Sequence, residues 1–114
     1  MTAEDSTDKR TPSKKLINTD LGGQRLAKTQ ALKLLREIFP LPDCISFSAH
    51  CREELKNDDL TTVDALNTLR AGKIYSEGEE KNGTWRYRVE TQKIIVVIAF
   101  KNPHHIRCVT AWRK

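Results

Sequence analysis

The chain has 114 residues with 20 Lys and Arg against 15 Asp and Glu, a net charge of +5, and 38% hydrophobic residues. That length suits a single domain with one core, and no apolar run approaches membrane length, which excludes an integral helical membrane protein. Three cysteines, Cys44, Cys51 and Cys108, form an odd set without CxxC spacing and are expected to be reduced and structural.

The opening MTAEDSTDKRTPSKK has no large apolar residue after Met1, so residues 1–17 are expected to be a disordered tail. The stretch is too polar for a signal peptide, and a cytoplasmic protein is expected. Residues 18–44 read as a helical extension. From about Leu21 to Phe39, Leu26, Leu32, Leu35, Ile38 and Phe39 recur at helical spacing; Asp20 or Gly22-Gly23 would start the helix and PLPD stops it. Residues 45–114 read as the main domain. ISFS is a short strand, followed by a helix over AHCREELKN with Ser48 as its cap. A second helix follows in TTVDALNTLRAG, capped by Thr61 or Thr62, with Val63, Leu66 and Leu69 on one face and Gly72 at its end. KIYSEG is a candidate strand and SEGEEKNG an acidic turn. Three strands close the chain over Thr84–Glu90, Lys93–Phe100 and His105–Arg113. The expected class is α+β: a small antiparallel sheet of three to four strands backed by helices.

KIIVVIAF is apolar at both parities, which makes it the central strand. With Thr91 and Gln92 as a two-residue turn, Arg86 and Arg88 share a face with Ile95 and Val97, and Trp85, Tyr87 and Val89 share the core face with Ile94, Val96 and Ile98. Two registers are open for the last strand. One adds Arg107 and Arg113 to the arginine face; the other adds Thr110 and Trp112.

Charge is uneven. Residues 83–114 hold seven basic and one acidic group, net +6, while residues 50–82 are net −3. A polyanion, or an acidic protein masking the patch, is the partner such asymmetry suits. His50, Arg52, Arg86, Tyr87, Arg88, Lys101, His104, His105, Arg107 and Arg113 supply the residue types that metal-free RNA cleavage needs. Histidine moves protons near neutral pH, arginine holds phosphate, and aromatic side chains stack on unpaired bases. Neighbouring HC and HH pairs lack the loop spacing of zinc motifs, so neither metal nor cofactor is expected.

FSAHCREEL, the helix ending in LRAGKI, then WRYRVE, IIVVIAF and IRCVTAWR resemble, in that order, the RelE/MqsR group of small bacterial toxins, the messenger-RNA interferases. The resemblance spans residues 45–113. It implies a RelE-like fold whose open sheet face binds and cuts RNA, and a cognate antitoxin that neutralises it. By position, the family's catalytic residues map to His50, Arg86, Tyr87, Arg88 and Thr110, with Arg52, Lys101, Arg107 and Arg113 as further phosphate contacts. Glu54 and Asp58 stand one and two turns after His50, where many relatives carry arginine. They favour the alternative, a module of the same fold that binds nucleic acid or protein without cutting.

Overall fold

The computed structural model describes residues 21–41 and 43–114; the expected tail, 1–17, lies outside them, as do residues 18–20. The elements run α1 (Lys28–Ile38), β1 (Ile45–Phe47), α2 (Ala49–Asn57), α3 (Thr62–Ala71), β2 (Glu79–Lys81), β3 (Thr84–Glu90), β4 (Ile94–Asn102) and β5 (His105–Arg113). The class is α+β, with three helices backing one sheet of order β1-β5-β4-β3-β2. Two expectations about that sheet are corrected. It has five strands rather than three to four, and it is mixed, because β1 runs parallel to β5. Among the described residues no helix is long and apolar enough to cross a membrane.

β2 lies in the stretch read as an acidic turn. Asn82 and Gly83 both have positive φ, 54° and 81°, the conformation of a tight hairpin turn that Asn-Gly favours. This turn pairs Lys81 with Thr84 and folds Glu79–Lys81 onto β3. KIYSEG, by contrast, makes only one bridge: Lys73 and Glu90 exchange both backbone hydrogen bonds, at 2.9 and 2.8 Å. Tyr75 beyond it is 62% exposed.

The helical extension is shorter than expected. α1 starts at Lys28, where the Gln30 side chain accepts a hydrogen bond from the Ala27 N–H at 3.0 Å and so serves one of the amides the helix leaves unpaired. Leu21 to Leu26 instead run as an irregular wedge between the ends of β3 and β4. Ladder pairing of these strands extends from Glu90↔Ile95 to Tyr87↔Ile98. Past that point the Leu21 N–H donates to the Lys101 carbonyl and the Trp85 N–H to the Gly22 carbonyl. The Leu26 N–H donates to the Tyr87 hydroxyl at 2.8 Å.

α1 is part of the core. Ala31, Leu35 and Ile38 are fully buried in one cluster with Cys51, Leu55, Ala65 and Leu69 of the other helices and Tyr87, Val89, Val96, Ile98, Phe100, Ile106, Cys108 and Ala111 of the sheet. Val63 of α3 is 61% exposed, so Ala65, Thr68 and Leu69 form that helix's buried face instead. Arg36 fastens α1 to α3: its guanidinium donates to the carbonyls of Leu69, Arg70 and Gly72 at 2.6–3.0 Å, satisfying acceptors that a helix end leaves open. Gly72 is required there, since a Cβ would stand 2.5 Å from the Thr68 carbonyl and 2.9 Å from that of Glu90.

Candidate functional site: two clefts on the open face of the sheet

The helices cover one face of the sheet. On the other, the registers set residues in rows. Glu79 stands opposite Arg86; Ala99 opposite Arg107, which faces Ser46; Arg88 opposite Val97, which faces Thr110; and Ile95 opposite Trp112. Ile95, Val97 and Ala99 are no more than 8% exposed yet lie outside the helix-backed core cluster. Long side chains of their own face shield them: the Arg88 guanidinium lies 5.6 Å from the centroid of the Trp112 ring.

A β-bulge decides which part of β5 joins this face. Val97 pairs with Thr110, but Ile98 pairs with Cys108, so Val109 is an extra residue. The two registers open from the sequence each hold on one side of the bulge. Arg107 lies on the open face at one end, and Thr110 and Trp112 lie there at the other. Arg113 does not. Its backbone N–H donates to the Asp58 carboxylate at 2.7 Å, and its guanidinium donates to the Asp58 and Asp59 carbonyls at 3.1–3.3 Å.

The larger cleft, about 640 Å³, lies where β3 and β4 part around the wedge, with His50, Arg86, Lys101 and Arg107 on its walls and Ala99 beneath. Among the described residues no carboxylate lines it. His50 is placed by the start of α2, which is fixed to β5 at the bulge. The Ser48 hydroxyl accepts from the Cys51 N–H at 3.0 Å and donates to the Val109 carbonyl at 2.8 Å, while the Ser48 N–H donates to the Cys108 carbonyl. The cleft is thus positive by composition and includes one group suited to proton transfer.

The smaller cleft, about 290 Å³, is floored by Val97 and lined by Trp112, Thr110, Arg86 and Arg88 together with Glu77, Glu79, Glu80 and Lys81. Arg86 borders both clefts, and its Nε is buried without a hydrogen-bond partner. Arg88 and Glu79 approach to 3.9 Å with side chains 45% and 74% exposed, a loose pair that solvent screens.

Of the nine residues expected to act on RNA, four (His50, Arg86, Lys101 and Arg107) line the larger cleft, and Arg88 and Thr110 line the smaller one beside it. Three are elsewhere, which corrects the sequence reading. Tyr87 is 2% exposed on the helix-backed face, and burial raises its phenol pKa. The Arg52 guanidinium lies 5.4 Å from the centroid of the Phe47 ring and borders a separate hollow with Lys56 and Asp59. Arg113 is held at the C-terminus of α2 by Asp58. The sequence reading also missed three members of the site. Glu79 reaches it through the Asn82-Gly83 turn, a signal present in the sequence. Gly22 and Gly23, read as a helix start, line the larger cleft. His104 and His105 line neither cleft; His105 Nε2 lies 2.9 Å from the Ser46 hydroxyl. Among the described residues no group of three or more His, Cys, Asp or Glu is arranged to hold a metal ion.

Fold and site together define an α+β domain with a basic cleft on the uncovered face of a mixed sheet. Residues 47–113 match the family described as "Domain of unknown function (DUF4258)", and the chain belongs to it. No curated protein matches the chain, and no solved structure does. α1 and the wedge precede the matched segment.

Proposed function

We propose that the protein is a RelE-like endoribonuclease of the toxin–antitoxin kind, cutting single-stranded RNA in the larger cleft. The supporting observation is the convergence of His50, Arg86, Lys101 and Arg107 on one cavity that no carboxylate lines among the described residues. A phosphodiester is recognised by charge-assisted hydrogen bonds from arginine, and the same cations stabilise the charge that grows on phosphate oxygens during attack. The 2′-hydroxyl loses its proton to His50 and its oxygen bonds to the adjacent phosphorus. The bond to the 5′-oxygen breaks and that oxygen gains a proton, leaving a 2′,3′-cyclic phosphate and a 5′-hydroxyl. This chemistry calls for no metal or other cofactor. A cognate antitoxin would cover the same basic face.

One observation favours a second reading, a module that binds RNA without cutting it. Tyr87 faces the core and Arg88 stands beside Glu79, which removes one expected catalytic side chain and partly neutralises another. The test is expression of the wild-type chain and of a His50→Ala, Arg107→Ala double variant in bacteria, together with incubation of the purified full chains with end-labelled single-stranded RNA. The nuclease reading expects arrested growth and fragments bearing cyclic phosphate for the wild type, and neither for the variant. Intact RNA in cells and in vitro with the wild type, despite binding that weakens with salt, overturns catalysis and leaves the binding module.

A further inference from the structure

The smaller cleft has a chemistry of its own. We infer that it is a base-recognition pocket selective for guanine, adjoining the phosphate-binding cleft across Arg86; this rests on the RNA reading above. Charge separates the two cavities. Among the described residues the larger has cations and a histidine but no carboxylate on its walls, whereas the smaller sets Glu77, Glu79 and Glu80 against Lys81, Arg86 and Arg88. A phosphate is drawn to the first, while the second, with acidic and basic residues in equal number, gives it no such net attraction. The second, however, has an apolar floor in Val97 and an aromatic wall in Trp112, the surfaces on which an unpaired base stacks.

The polar groups then choose among bases. The register places Glu79 on the same face as Arg86 and Arg88, so an acceptor-only carboxylate and donor-only guanidinium groups meet in one pocket. Guanine alone offers both complements. Its N1–H and N2–H₂ donate side by side, as a carboxylate requires, and its O6 and N7 accept side by side, as arginine requires. Adenine and cytosine each turn a ring-nitrogen acceptor toward the carboxylate, and uracil offers a single donor between two acceptors.

The experiment uses the purified full chain with the His50→Ala substitution, to prevent cleavage, and fluorescein-labelled hexauridylates holding one central G, A or C. A bidentate base contact discriminates by a factor of about 5 to 150. Glu79 is largely exposed, so the expected preference is at the lower end, about fivefold for G over A. Glu79→Ala is expected to reduce that preference below about twofold, whatever its effect on affinity common to all three oligomers. Trp112→Leu is expected to weaken binding of the G-, A- and C-containing oligomers alike. Equal affinity for G and A, or a preference that survives Glu79→Ala, overturns guanine recognition and leaves RNA binding standing. Failure of all three oligomers to bind overturns the RNA reading itself.

Discussion

Leu35→Ala tests whether α1 is an integral part of the domain or an attachment to the family-matched segment. Leu35 is fully buried, 0% exposed, in the cluster that joins all three helices to the sheet. Removing three carbons at roughly 0.8 kcal/mol per buried CH₂ costs about 2.4 kcal/mol in transfer free energy alone. The neighbours belong to two other helices and to β-strands held by ladder hydrogen bonds, so the space closes poorly and a cavity term adds to that loss. A total of about 3 kcal/mol is expected, inside the range for buried leucines. With a urea slope of about 1.5 kcal/mol/M, typical of a small domain, the unfolding midpoint falls by about 2 M. Lys33→Ala, at an exposed position on the same helix, is the control and is expected to stay within about 0.5 kcal/mol. The assay is urea unfolding followed by tryptophan fluorescence, since Trp85 packs beside the same core. A loss below about 1 kcal/mol for Leu35→Ala, with the slope unchanged, refutes the reasoning and makes residues 47–113 the folding unit.

Two further outcomes follow from buried groups. Tyr87→Phe leaves the Leu26 N–H without the hydroxyl that accepts from it, so stability is expected to fall by about 1 kcal/mol while oligonucleotide affinity stays within twofold; a large loss of affinity would return Tyr87 to the site. Burial raises the Cys51 thiol from its usual value of 9.0 to about 11, and it raises Cys108 further, aided by the nearby Cys51. In the unfolded chain these thiols ionise near the usual value, so their contribution to stability is fully present below about pH 9 and declines as pH rises from there through about 11, by up to about 1.4 kcal/mol per unit for each thiol. Urea midpoints measured from pH 8 to 11 on the wild type and on Cys51→Ala check this, and equal pH slopes for the two proteins contradict it.

How much of the site was legible depends on which parity arguments a sequence can support. The face shared by Arg86, Arg88, Ile95 and Val97 was read correctly although the turn was misplaced. The structure closes it at Gln92 and Lys93, with Thr91 bonded to Ile94, and moving a two-residue turn by one residue shifts each partner by two, which preserves the face. The Val109 bulge had no such protection. Neither glycine nor proline marks it, and one extra residue reverses the facing of everything beyond it. The parallel β1–β5 pair joins residues some sixty positions apart, a contact that no local pattern encodes. β2 was missed for the opposite reason. Glu79–Lys81 has weak strand propensity, and the Asn-Gly turn that fixes it carried the information instead.

The same elements explain why net charge alone misjudged the face. Of the seven basic residues after position 82, Arg113 is held by α2, and Lys114 pairs with Glu90 at 3.1 Å and lines neither cleft. Only Arg86, Arg88, Lys101 and Arg107 line the clefts. The hairpin then sets Glu79 directly opposite Arg86, bringing acidic residues from the −3 segment to the edge of the +6 segment. The open face is therefore not a uniform basic surface of the kind that binds any polyanion. It is graded, with cations around His50 at one end and carboxylates beside Trp112 at the other, and Arg86 stands between the two ends. On the proposed RNA reading, a gradient over two adjoining cavities would give the strand a direction, phosphate toward α2 and base toward β2, which a basic patch of the same net charge would not.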